Sequence, residues 1–94
     1  SIGAGAFASC PEITSVVIPD GVELIGINAF WNSQITHLVI PDSVVFIHSW
    51  AFSFCETLTS INYLGTMEQW NKIVKDLSNS SVATIICSDG TISL

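Results

Sequence analysis

The chain has 94 residues, 49% hydrophobic and only 11% charged, with eight acids against two lysines and a formal charge of -6. This composition excludes a disordered chain, and it offers neither a nucleic-acid backbone nor an anionic membrane anything to hold. Pro19, Asp20, Pro41 and Asp42 interrupt the apolar runs, so none reaches the roughly 18 residues that a membrane span needs, and the length allows at most one domain.

The opening, Ser1-Ile2-Gly3-Ala4-Gly5-Ala6-Phe7, has neither the basic region nor the long apolar core of a secretion signal. It matches Ile25 to Phe30 and Ile47 to Phe52 instead. The chain therefore starts inside a repeat and reads as a piece of a longer protein. Pro19 and Pro41 lie 22 residues apart, as do the Ile-x-x-x-Ala-Phe phrases at 25–30 and 47–52, and a period of that size is the signature of stacked repeats.

The first predicted strand carries Ile13, Val16 and Ile18 inward and Thr14, Ser15 and Val17 outward. The spacing breaks strict alternation, so a turn or bulge is needed if all three apolar residues face the core. Pro19 closes the strand, and Asp20-Gly21 makes a turn behind it, as Asp42-Ser43 does behind Pro41. Val22 and Ile25, then Val44 and Ile47, resume the apolar pattern. Each Ala-Phe pair supplies a small residue where backbones approach and a large one to fill the interior, so Phe7, Phe30 and Phe52 are expected to stack. From Phe30 to Ile35 is one position shorter than from Phe7 to Ile13 or from Phe52 to Leu58. That places Asn32 in the slot of Cys10 and Cys55, with an irregular loop at 31–34.

The third strand runs over Leu58–Tyr63, after which the pattern changes. Residues 65–75 read as a helix with Thr66 as N-cap, Gln69 completing the cap, and Met67, Trp70, Ile73 and Val74 as the apolar face. A loop at 77–81, a strand over Val82–Cys87, a turn at Ser88-Asp89-Gly90 and an edge strand over Thr91–Leu94 complete the chain. Such a deviant last unit is what a repeat stack requires to cover its end. The repeats fall at about 2–24, 25–46 and 47–65, with a terminal unit at 66–94.

The candidate site is the outward face of the strands. Ser15, His37, Ser60 and Thr84 are expected in one row, and Val17, Val39, Asn62 and Ile86 in the next, forming a recognition surface. A row of such residues also serves simply as good strand material. Its exposed aliphatics, and the open edge of the first repeat, point to weak self-association as well. Asp20 and Asp42 share a phase, but each follows a proline as a turn residue does, and no third acid recurs for a metal. His37 and His48 lack the spacing of a zinc site. Ser15 beside His37 has no orienting acid for nucleophilic catalysis. Three cysteines at 10, 55 and 87 make no disulfide framework and are expected reduced and buried, with an inter-chain bond as the alternative. Trp70 reads as the anchor of the terminal helix, whereas Trp31 and Trp50 on the outer leg are candidate exposed stacking residues. Asn79-Ser80-Ser81 fits the N-glycosylation pattern. No cofactor or metal is expected.

The phrases Ile-Gly-x-x-Ala-Phe-x-x-Cys, Leu/Ile-Thr-Ser-Val/Ile and Val-Ile-Pro-Asp-x-Val resemble the BspA-like leucine-rich repeats of bacterial surface proteins, over essentially the whole chain. Tyr63-Leu64-Gly65-Thr66-Met67-Glu68-Gln69-Trp70-Asn71-Lys72-Ile73, followed by Ile85-Ile86-Cys87-Ser88-Asp89-Gly90-Thr91, resembles the unit that closes such arrays. The resemblance implies an α/β solenoid whose short parallel strands stack into a curved sheet, with a C-terminal capping helix and strand. It places Ile13, Val16 and Ile18, then Ile35, Leu38 and Ile40, then Leu58, Ile61 and Tyr63 in the interior. Departures from the family pattern are Asn32 in the cysteine slot, the missing residue beside it, and His48 where glycine is usual. By the same resemblance the protein is secreted or surface-anchored, binds a protein or glycan on a host or neighbouring cell, and has no enzymatic activity. The alternative is a purely structural cap of a longer array.

Overall fold

The computed structural model describes residues 12–78 and 80–94. The expectations for Phe7, Cys10, the opening repeat fragment and Asn79 lie outside these residues. The elements in chain order are β1 (Ser15–Val17), β2 (Leu24–Ile25), β3 (His37–Ile40), β4 (Phe46–Ile47), β5 (Ser60–Tyr63), α1 (Met67–Lys72), β6 (Thr84–Cys87) and β7 (Gly90–Ser93).

The repeat sets the strand register directly. Strands β1, β3, β5 and β6 pair in parallel, with Val17 opposite Val39, Val39 opposite Asn62 and Asn62 opposite Ile86. Strand β7 then pairs antiparallel to β6, with Cys87 opposite Gly90. The resulting five-stranded sheet is open and uncurled, so the curvature implied by the resemblance does not develop over so few strands. Because side chains alternate along a strand, Leu38, Ile40, Ile61, Tyr63 and Ile85 all turn into the core. Ile18 is buried too, but Ile13 and Val16 are only half-buried, since β1 has one neighbouring strand among the described residues. The break in alternation before Val16 leaves its mark on the ladder. The Thr14 carbonyl accepts from both the Thr36 and the His37 N–H, at 2.8 and 3.2 Å.

The turns behind the prolines form as expected, each closed by a 3.4 Å bond, from the Val22 N–H to the Pro19 carbonyl and from the Val44 N–H to the Pro41 carbonyl. Gly21 adopts φ 94°, a conformation that glycine reaches at no steric cost. It is Ser43 that joins the two turns: its hydroxyl accepts from the Gly21 N–H at 3.0 Å and donates to the Val22 carbonyl at 2.8 Å.

On the returning side, β2 and β4 make a second parallel ladder, Leu24 opposite Phe46 and Ile25 opposite Ile47. The phenylalanine stack follows beyond it: the Phe30 and Phe52 rings lie 5.5 Å apart and nearly parallel at 16°, with Ala29 and Ala51 fully buried beside them. The cysteine slot needs a correction, because Ser33, not Asn32, stands beside Cys55, its Oγ 3.3 Å from the sulfur. The missing residue therefore falls after Ser33. The turns stay in phase through the Phe30 N–H to Ala51 carbonyl and Asn32 N–H to Ser53 carbonyl bonds, at 2.8 and 3.0 Å, and the shortfall is absorbed only on approach to β3. The histidine departure is harmless. Gly26 is not among the positive-φ residues, so the position does not require glycine, and His48 accepts the Trp50 N–H on Nδ1 at 3.3 Å.

The helix begins with the expected reciprocal cap. The Thr66 hydroxyl accepts from the Gln69 N–H at 3.1 Å, and the Gln69 side chain accepts from the Thr66 N–H at 2.8 Å. Gly65 before it has no room for a side chain, since a Cβ there would fall 2.7 Å from the Tyr63 ring. The helix is shorter than the sequence predicts and ends at Lys72. Ile73 is buried, but Val74 leaves the helix face, bridges in parallel to Phe46 and exposes its side chain. The returning ladder wins because it satisfies both Val74 backbone groups, with Val74 N–H to Val45 carbonyl at 3.1 Å and Ile47 N–H to Val74 carbonyl at 2.9 Å. At the helix end the Trp70 carbonyl accepts from the Ile73 N–H at 3.1 Å and from the Lys75 ammonium at 2.9 Å, and the Ile73 carbonyl accepts from the same ammonium at 3.2 Å.

Candidate functional site

Alternation along the strands that buries one set of side chains must present the other, and the register aligns these outward residues across the sheet. Ser15 pairs with His37, and Ser60 with Thr84. In the neighbouring row Val17, Val39, Asn62 and Ile86 follow one another from β1 to β6. All eight sequence-predicted residues thus lie on one sheet face. Val17 is 70% and Ile86 44% exposed. Val39, Asn62 and Ile86 line a shallow groove of about 410 Å³, shared with Leu64, Cys87 and Ser88. On the adjacent row the Thr36 hydroxyl lies 2.9 Å from His37 Nδ1 and donates to the Thr14 carbonyl at 3.3 Å. The face is therefore an apolar row bordered by small hydroxyls and an imidazole, suited to contact more than to chemistry.

Elsewhere, His48 sits on the returning side, edge-on to Phe46 at 6.2 Å, and does not approach His37's row. Among the described residues, no three His, Cys, Asp or Glu side chains converge as a metal ion would require. No described helix is long and apolar enough to cross a membrane. Cys55 is buried, Cys87 half-buried, and both are free thiols. Burial pushes the Cys55 thiol above its ordinary pKa, against the lowering effect of the Ser33 bond.

A second concave region lies at the turn of the third copy. Trp50, Ser53, Phe54, Glu56, Ser80 and Ser81 surround a cleft of about 250 Å³. Phe54 is 64% and Trp50 48% exposed, and Phe54 meets Trp31 edge-on at 6.0 Å. The exposed stacking residues anticipated at Trp31 and Trp50 are joined here by Phe54. Phe54 has φ 58°, and Asn32, one repeat earlier, has φ 53°. The repeat backbone demands a left-handed residue at this position. Asparagine tolerates it, whereas a bulky side chain is an outlier there, at a cost of about 1–2 kcal/mol. Phe54→Asn should therefore stabilise the fold by about 0.5–1 kcal/mol, after allowing for the lost edge contact to Trp31, read as a higher urea midpoint; an unchanged or lower midpoint would contradict the strain. Sequence reading singled out Trp31 and Trp50 on the outer leg but missed Ser53 and Glu56, and the available signal was the misfit of phenylalanine in Asn32's phase.

Comparison with known proteins places these features in a family. Residues 1–93 match the family described as BspA type Leucine rich repeat region (6 copies). Proteins of that family are typically secreted or surface-borne, often mediate protein interactions or adhesion, and are generally non-enzymatic. No curated protein and no solved structure matches the chain. Because the family match reaches from the first residue to the last but one, the chain belongs to the BspA-type leucine-rich repeat family.

Proposed function

We propose that the chain is a non-enzymatic protein-binding module of a secreted or cell-surface protein, which docks a partner on a host or neighbouring cell through its strand face. One observation carries this reading: Val17, Val39 and Ile86, with Asn62 between them, form an in-register row in which Val17 and Ile86 are exposed and Val39, Asn62 and Ile86 line the 410 Å³ groove. A monomer gains nothing in stability by placing such a row in water, and exposed contiguous apolar surface marks interaction sites. The flanking hydroxyls and His37 supply the polar rim. The test is saturable binding of the chain to immobilised extracellular-matrix proteins, with light scattering in parallel for self-association through the β1 edge. His37→Glu and Ile86→Glu should each reduce partner binding about tenfold or more, a loss of at least 1.4 kcal/mol. Equal binding by these variants would refute the strand face as the docking surface.

The second reading, a structural cap over a longer solenoid, is favoured by the reversal of direction at β7, which pairs antiparallel to β6 after three parallel steps. On that reading residues 66–94 close the array below repeats at 2–24, 25–46 and 47–65. Glutamate on the strand face would then leave partner binding by the parent array untouched.

A further inference from the structure

We infer that the cleft at the third turn, lined by Trp50, Ser53, Phe54, Glu56, Ser80 and Ser81, is a carbohydrate-binding site distinct from the strand face, taking one pyranose ring of a neutral glycan. None of its residues belongs to the strand rows. Three independent features converge on it.

The first is aromatic. Pyranose rings present apolar C–H faces that pack on exposed aromatic planes, and Trp50 and Phe54 offer two such planes at the cleft. The backbone at Phe54 argues that the ring was not placed there for the fold. One copy earlier the same left-handed position holds Asn32, the ordinary solution, while phenylalanine carries strain and leaves most of its ring in water. Strain held at an exposed residue is characteristic of functional positions. Trp31 braces the ring edge-on at 6.0 Å, so the plane is held in place before any ligand arrives.

The second is polar. Ser53 is 2% exposed, and its hydroxyl is buried without a hydrogen-bond partner. Buried hydroxyls in folded proteins are nearly always satisfied, so this hydroxyl, on a residue that lines the cleft, stands out as an unpaired donor and acceptor in the free chain. One copy earlier that position is Trp31, so the hydroxyl belongs to this copy alone.

The third is the rim. The Glu56 carboxylate accepts hydrogen bonds and the Ser81 hydroxyl gives and accepts them, while the Ser80 hydroxyl, which gives its proton to the Leu77 carbonyl at 2.7 Å and accepts from the Val82 N–H at 3.3 Å, offers only a remaining lone pair; together they match the mixed donor and acceptor pattern of vicinal sugar hydroxyls. With a net charge of -6 on the chain and a carboxylate at the site, a neutral sugar fits and an anionic one is repelled. The volume of about 250 Å³ falls just below the range of about 300–1,000 Å³ that holds drug-sized ligands, as a single-ring site should.

The test is titration of the 94-residue chain with a panel of neutral disaccharides, namely cellobiose, lactose and N,N′-diacetylchitobiose, with sialyllactose as the anionic comparison, followed by amide chemical-shift changes. We expect saturable shifts at residues 50–56 and 80–81 with at least one neutral disaccharide, and none with sialyllactose. Phe54→Asn copies the second turn and keeps the fold, so its affinity for that disaccharide should fall about tenfold. Ser53→Ala removes a hydroxyl that bonds nothing in the free chain. It should leave stability unchanged or raised while weakening the sugar severalfold. His37→Glu and Ile86→Glu should bind the sugar as the parent does, which separates failure at this site from failure of the strand-face reading. Absence of saturable shifts with all three neutral disaccharides, or equal affinity in Phe54→Asn and Ser53→Ala, would overturn the assignment.

Discussion

Replacing Trp70 with alanine should cost about 3–5 kcal/mol, the range for deleting a large aromatic from a packed interior. Trp70 is 1% exposed, and three separate contacts meet at this residue, two of them on its ring. Tyr63 of β5 packs edge-on at 5.2 Å, the Lys75 ammonium sits over the indole at 5.0 Å, and the residue's own carbonyl accepts from that ammonium. Removing the indole opens a cavity between helix and sheet and exposes to water a lysine whose pKa burial already holds below its ordinary value. A chain of this size has about 5–15 kcal/mol of total stability, so the variant should be close to unfolding. Urea denaturation followed by circular dichroism gives the loss, and hydrogen exchange should show the Ile85 amide losing protection before those of β3. A loss under about 1 kcal/mol would mean that the indole does not anchor the C-terminal segment.

Phe52→Ala should be nearly as damaging, at about 3–5 kcal/mol, for a different reason. Phe52 is 2% exposed and stacked on Phe30, so its ring fills one layer of the interior and forms the floor of the next. The turns on either side are fixed by backbone bonds between copies and have little freedom to collapse into the void. Phe52→Leu should recover part of the loss by restoring volume without the stacked face. A cycle with Phe30→Ala should give a coupling of about 0.5–1.5 kcal/mol beyond simple addition. Strict additivity in that cycle would show that the two rings are buried side by side without interacting.

The parts of this architecture that sequence made legible are those governed by periodicity. A 22-residue repeat with alternating strand residues determines which side chains pair across β1 and β3, and the strand rows fall in register as the spacing dictates. The reciprocal cap at Thr66 and Gln69 was legible because its chemistry is local. Three features were not. Counting back from Ile35 assigned Asn32 to the cysteine slot, but the stack keeps phase on Phe30 and Phe52 and takes up the deletion afterwards, so Ser33 meets Cys55. Spacing alone cannot tell on which side of a loop a missing residue falls, whereas packing of large rings decides it. Val74 fits the apolar face of a helix equally well, yet a ladder already formed by β2 and β4 offered its backbone two bonds, and a distant pairing outweighed a local propensity. The second concave site was hidden for a related reason. Its residues come from a turn and a loop some 25 positions apart, and no motif announces them.

The contact between Ser33 and Cys55 makes the interior self-reporting. The sulfur is enclosed and its proton held tightly, so an alkylating reagent can capture it only in the moments when the second and third turns separate. Once the other two thiols are replaced, the speed of that capture becomes a clock for breathing between adjacent layers, ticking faster with every substitution that loosens them.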